Sequence, residues 1–217
     1  MTGTRRQVAV LGLGGTIAMA AGSAGGAEPA LSAADLIRAV PGLVQLPIDL
    51  AVEDVRRLPG ASLSFDDLQS VAAIVRQRCA SGADGVVITQ GTDTIEESAY
   101  LLDLLHAGPQ PVVVTGAMRN ATLAGADGPA NLLAAVQVAA SLDARAQGCL
   151  VVLADEIHAA RRVRKTHATS LTTFQSPNGG PLGYIVEGRP NFVNHLPARF
   201  CVPSDLGRPD GQNSPRV

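Results

Sequence analysis

The sequence predicts an α/β protein whose doubly wound, mostly parallel sheet is flanked by helices, and three observations carry that prediction. Short runs rich in Val, Leu and Ile alternate with segments whose apolar residues recur at helical spacing. Parallel neighbours need a crossover connection, and a helix between successive strands supplies it in the right-handed sense. Next, 46% of the 217 residues are hydrophobic while only 3% are aromatic and Trp is absent, so the core must be built from small aliphatic side chains. Such side chains suit close helix-on-sheet packing. Finally, the alternation stops near residue 175, after which Pro and Gly interrupt every apolar stretch.

Taken in order, residues 8–13 read as a buried strand that runs into Gly14-Gly15-Thr16. Ser32, with Asp35 three positions on, gives a helix start ahead of Leu36 and Val40, and residues 48–52 give a second strand. Ser64 and Asp67 form a clearer capping box, followed by Leu68, Val71, Ala72, Val75 and Cys79 at helical spacing. Residues 85–89 are a third strand, and Thr94 with Glu97 repeats the box ahead of Ala99, Leu102 and Leu105. Residues 111–115 and 149–154 complete the strands, with a helix over 129–142 between them. Beyond residue 175 at most a short hairpin is expected, which divides the chain into an α/β domain over 1–190 and a Pro/Gly-rich linker over 191–217.

Composition narrows the function classes. The formal net charge is -2 with both signs interspersed, which argues against binding nucleic acid and favours a small-molecule substrate. Cys79, Cys149 and Cys201 lie far apart and read as reduced structural thiols. Arg5 and Arg6 precede an apolar stretch, but Gly12, Gly14 and Gly15 break it, so it reads as a strand entering a loop rather than an export signal, and a cytoplasmic location is expected. No apolar run approaches the roughly 20 residues that span a bilayer, so no membrane partner is expected. His106, His158, His167 and His195 show no metal-ligand spacing and read as solvent-facing or satisfied structural groups. Gly12 and Gly14 fit the start of a dinucleotide-binding GxGxxG, but Ile17 stands where the third glycine belongs.

Ligands of open parallel sheets bind at the carboxyl ends of the strands, so the chemistry should lie in the loops that follow them. After the first strand, Gly14-Gly15 lets the backbone turn and leaves the Thr16 hydroxyl accessible, as a nucleophile or as an ordinary turn threonine. After the third strand, Thr89-Gln90-Gly91-Thr92-Asp93-Thr94 sets a hydroxyl beside a carboxylate at a helix entrance. If Thr94 and Glu97 cap that helix, Thr92 and Asp93 remain free for other work. A threonine hydroxyl needs a group to take its proton, and Lys165 is the candidate. Arg161, Arg162 and Arg164 beside it would disfavour a further cation, although the same stretch also reads as a solvated basic loop.

These residues resemble the bacterial-type L-asparaginases and their glutaminase relatives over nearly the whole chain. The motifs are Gly14-Gly15-Thr16-Ile17-Ala18, the segment from Thr89 to Glu97 with Tyr100-Leu101-Leu102-Asp103, and Val114-Thr115-Gly116-Ala117-Met118-Arg119. Ala126-Asp127-Gly128-Pro129-Ala130-Asn131-Leu132, Lys165-Thr166 and Pro181-Leu182-Gly183-Tyr184-Ile185 continue the match. The resemblance implies a Rossmann- or flavodoxin-like catalytic domain that hydrolyses L-asparagine, and also L-glutamine, without metal or organic cofactor. Thr16 would attack the side-chain amide to form an acyl-enzyme, and Thr92 with Lys165 would be the second catalytic pair. Asp93 would hold the substrate's α-ammonium, the loop carrying Gly60 and Ser62 its α-carboxylate, and backbone N–H groups near Thr92 and Ala117 the oxyanion. Asparagine and glutamine differ by one methylene, worth only about 1–3 kcal/mol in a pocket, so preference between them is not legible.

Two departures from the family pattern accompany the resemblance. Residues 18–31 contain no Tyr, where well-known members carry one close to the nucleophile. The family also continues into a smaller α/β domain that is expected to be absent here, and the neighbouring subunit's copy of that domain completes each pocket in its homo-oligomers. A catalytically impaired or non-catalytic remnant is therefore the alternative expectation. A tRNA-dependent amidotransferase subunit is disfavoured because no basic patch suggests tRNA contact.

Overall fold

In the computed structural model, which describes residues 5–21, 27–29 and 31–202, the first apolar run forms β1 (Arg6–Gly12) and alternates between the two faces of a sheet. Val8 and Val10 pack with one apolar cluster, Ala9 and Leu11 with the other. That division is the period of two expected of a strand covered on both sides. A small antiparallel ribbon follows, β2 (Met19–Ala21) with β3 (Ala27–Pro29), in the stretch 18–31 that lacks a tyrosine. Residues 22–26 and 30 of that stretch lie outside the described residues.

Next come α1 (Ala33–Arg38), whose expected Ser32–Asp35 capping box is formed, α2 (Pro41–Val44) and β4 (Ile48–Asp54). Then α3 (Phe65–Ala80) starts at Ser64, whose hydroxyl accepts the Asp67 N–H while Asp67 accepts the Ser64 N–H. The remaining crossovers are β5 (Gly85–Thr89), α4 (Ile95–Leu105), β6 (Val112–Thr115), α5 (Gly128–Ala140) and β7 (Cys149–Leu153). In the sheet, β4, β1, β5, β6 and β7 stand side by side and all parallel. One face packs on α1 and α5 through Leu36, Leu132, Ala135 and Val136, the other on α3 and α4 through Leu68, Val71, Ala99 and Leu102.

The capping box expected at Thr94 and Glu97 is not formed. Thr92–Thr94 make a 3-10 turn instead, and Thr94 stands at the head of α4 with no side-chain cap. Its buried hydroxyl has no hydrogen-bond partner among the described residues. Because this loop is pressed against its neighbours, its backbone is set by packing rather than by the local side-chain bonds that the motif allows.

Beyond β7 the chain folds back antiparallel as β8 (Glu156–Ala159). The connecting turn is Ala154-Asp155, both at positive φ (49° and 62°), which is the twist a two-residue hairpin requires. A two-stranded ribbon of β9 (Arg164–Lys165) and β10 (Phe174–Gln175) leads to the hairpin of β11 (Gly183–Val186) and β12 (Arg189–Phe192), which extends the sheet to eight strands. The segment read as a linker from residue 191 thus completes β12, and Val202 N–H donates to the Leu104 carbonyl at 2.8 Å, laying the chain along α4. Residues 203–217 lie outside the described residues.

Candidate active site

The loops at the carboxyl ends of β1, β4, β5 and β6 meet. Gly15 has φ 84°, and a Cβ built there would stand 2.1 Å from the Gly91 nitrogen, so the turn after β1 lies directly on the turn after β5. Only a glycine fits both the backbone angle and the contact. A Cβ on Gly60 would meet the Gly91 carbonyl oxygen at 2.8 Å, which brings the loop after β4 to the same place. On the far side Gly116, after β6, abuts the Gln90 carbonyl and the Thr92 side chain.

Thr16 follows Gly15 directly and opens a 3-10 turn, Thr16–Ala18, half-buried on this rim. Ile17 is buried beneath it and packs at the start of α5, where a Gly128 Cβ would meet it at 3.0 Å. Among the described residues no group hydrogen-bonds the Thr16 hydroxyl.

Thr92 and Lys165 come together although 73 positions separate them: Lys165 Nζ donates to Thr92 Oγ1 at 2.9 Å. The same ammonium reaches Asp93 Oδ1 at 2.6 Å. The Lys165 side chain is only 13% exposed and Asp93 is 75% exposed, so the lysine lies in the floor of the site and the carboxylate at its mouth. Arg161 turns away to Asp103, and the charged group facing Lys165 Nζ is a carboxylate.

Of the weaker candidates, Gly60 and Ala117 are buried in the loops that frame the site, whereas Ser62 is exposed in the 3-10 turn Gly60–Ser62. The Ala117 loop is held from below. Asp127 accepts the Met118 and Arg119 N–H groups at 3.0 and 2.8 Å, and Asn131 donates to the Gly116 carbonyl at 3.0 Å while accepting Ala154 N–H at 3.0 Å. Sequence reasoning quoted Asp127 and Asn131 without giving them work; a carboxylate and an amide at i and i+4 straddling a helix start is the signal that would have found them. Glu96 was missed too, and its Oε2 accepts the Lys165 backbone N–H at 2.9 Å.

The arrangement provides an unengaged hydroxyl, a lysine–threonine pair and an exposed carboxylate, all at the carboxyl ends of parallel strands. Among the described residues no cluster of His, Cys, Asp and Glu is placed to hold a metal ion, and no helix is long and apolar enough to cross a membrane.

Comparison with known proteins gives matches over the same stretch. A family model described as "Asparaginase, N-terminal" matches residues 7–198. The "Glutaminase-asparaginase" of Pseudomonas fluorescens biotype A is 40% identical over 197 residues, covering 88% of this chain and 54% of that protein. The "Probable L-asparaginase periplasmic" of Haemophilus influenzae is 40% identical over 198 residues, 90% of this chain and 56% of that one. Among solved structures, the probable cytoplasmic L-asparaginase from Campylobacter jejuni superposes with a TM-score of 0.81 at 39% identity, over 88% of this chain and 58% of that chain. The chain spans about half the length of the curated relatives it matches. The two compartments named for these relatives differ, so they do not extend the cytoplasmic expectation to this chain.

Proposed function

The chain belongs to the asparaginase family, and on that premise we propose that its site hydrolyses the side-chain amide of L-asparagine to L-aspartate and ammonia, with Thr16 as the nucleophile. The observation that carries this reading is the pairing of Lys165 Nζ with Thr92 Oγ1 at 2.9 Å and with Asp93 Oδ1 at 2.6 Å, beside the turn that delivers Thr16.

The steps follow from what each group can do. Thr16 Oγ attacks the amide carbon, its proton passes to the amide nitrogen, and the tetrahedral oxyanion collapses to an ester as that nitrogen departs as ammonia. Backbone N–H groups near Thr92 and Ala117 face the developing oxyanion, where fixed dipoles stabilise charge without reorganising. Water then adds to the ester and releases aspartate. The Thr92–Lys165 pair orders that water and relays its proton. Asp93, open to solvent, exchanges its lysine contact for the substrate's α-ammonium, a charge-assisted pair that orients the amide toward Thr16. L-Glutamine, one methylene longer, is the second substrate of the same reading.

Ammonia release from L-asparagine by the 217-residue protein, with Thr16→Ala beside it, tests the proposal. The expected outcome is a loss of roughly 10⁴-fold or more in kcat for the variant, as for other removed nucleophiles. Equal rates in the two proteins, or no release by either, would sink it.

A further inference from the structure

Lys165 is useful to the proposed reaction only if its ammonium stays near Thr92, yet it is carried on a ribbon strand two residues long, β9, after an irregular turn. Such a strand has little ladder of its own to fix it. Helix α4 grips this segment at two points. Glu96, in the first turn of α4, accepts the Lys165 backbone N–H at 2.9 Å. Asp103, seven residues later and 1% exposed, accepts Arg161 Nη2 and Nε at 2.5 and 3.2 Å. Seven residues are about two helical turns, so the two carboxylates lie on one face of α4 about 10 Å apart. Between them the helix and the segment stand apart around a cavity of about 310 Å³ that Tyr100, Val163 and Arg164 help to line.

From this we infer that Glu96 and Asp103 are positioning residues that together set Lys165 against Thr92. Asp103 holds the start of the turn and Glu96 holds its end, with the lysine at the second anchor. Asp103 is itself fixed on its other oxygen, which accepts Cys149 N–H at 3.0 Å and lies 3.4 Å from Arg199 Nη2. Gly148 leaves room for that oxygen, since a Cβ there would stand 2.2 Å from it. The anchor therefore joins four parts of the chain: the end of α4, the turn at Arg161, the start of β7 and the segment near residue 199. The inference rests on Lys165 acting in the proposed site, but the restraint itself is a property of the backbone and can be read without any reaction.

Glu96 is the member to change first, because it is only half-buried and its loss should leave the fold intact. In Glu96→Ala the Lys165 amide should exchange its hydrogen roughly 10-fold faster or more, while amides of β5 and α5 keep wild-type protection. Glu96→Gln retains an acceptor oxygen and should restore the protection. In hydrolysis assays Glu96→Ala should lower kcat roughly 10- to 100-fold with KM changed less than about 3-fold, since a displaced group costs rate more than binding. Asp103→Asn should shift kcat in the same direction if it remains folded by circular dichroism. Unchanged Lys165 exchange in Glu96→Ala, or faster exchange with wild-type kcat, would overturn the inference. A wild-type protein that hydrolyses nothing while the Ala variant exposes the Lys165 amide would refute the proposed function and uphold the restraint.

Discussion

A Cβ on Gly15 would overlap the Gly91 backbone, its nearest atoms the Gly91 nitrogen at 2.1 Å and Cα at 2.3 Å, and neither can retreat as a flexible side chain would. Gly82 has a similar angle, φ 101°, but a Cβ there meets nothing within 4 Å. Gly15 also has ψ -175°, in a region that essentially only glycine populates, so its substitution carries a larger backbone cost as well as a collision that Gly82 lacks. Gly82→Ala should lose about 1 kcal/mol in urea unfolding, the cost of the backbone angle. Gly15→Ala should lose about 3 kcal/mol or more, because the collision adds to that cost, and its Thr16 turn should shift away from Thr92. Equal losses would mean that the two turns do not bear on each other. At this scale the sequence made Thr16, Thr92, Asp93 and Lys165 nameable through motifs, but spacing could not bring Lys165 to Thr92 across 73 positions. That contact depends on β9 lying over the head of α4, which no local pattern encodes.

Two helix starts share one sequence pattern and differ in the structure. Ser64 and Asp67 bond reciprocally at the head of α3, whereas Thr94 at the head of α4 makes no side-chain cap and its buried hydroxyl has no partner among the described residues. Ser64→Ala should therefore cost about 1 kcal/mol, the ordinary worth of such a cap. Thr94→Val, which keeps the shape and removes a hydroxyl that bonds nothing among the described residues, should change stability by less than about 0.5 kcal/mol. Chemical denaturation of both variants distinguishes the starts, and a larger loss at Thr94 would restore the capping box there. The same contrast shows what was legible in elements. The strands β1, β5, β6 and β7 and the crossovers α3, α4 and α5 announced themselves because each carries a full period of buried residues, as in the fully buried β5 and β7. The return strand β8 did not, because its turn Ala154-Asp155 lacks the Gly or Asn that usually marks positive φ and because Glu156 and His158 break the apolar run. Ribbons of two or three residues, such as β9 with β10, have no period to read at all.

Acid stability is a property of the whole fold, and the main contributor to its upper window is one buried side chain. His158 lies wholly inside, with Nδ1 3.0 Å from Ser176 Oγ and Nε2 3.2 Å from Glu156 Oε2, and burial lowers its pKa from 6.5 to about 4. Between those values the unfolded chain holds a proton on this imidazole and the folded chain does not, so stability falls as pH drops from about 6.5 toward 4. His106, also lowered by burial, acts in the same direction. Glu156 is raised by burial, so its ionisation costs the folded state and its protonation in acid offsets part of the loss. The depressed carboxylates act lower: Asp35, hydrogen-bonded by Ser32 and held near 2, and Asp67 and Asp84, lowered by their bonds to Arg56 and to the Gln7 N–H, give stability that is present above about 4 and lost as pH falls further. The windows are thus distinct. From pH 7 to 4.5 the wild-type protein should lose on the order of 2 kcal/mol of unfolding free energy through His158. In His158→Asn, which carries no titrating group there, most of that slope should vanish, whatever the variant's stability at pH 7, while the fall below pH 4 should remain. Urea midpoints across the range test this, and a variant with the wild-type slope above pH 4.5 would move the effect to His106 or to groups outside the core.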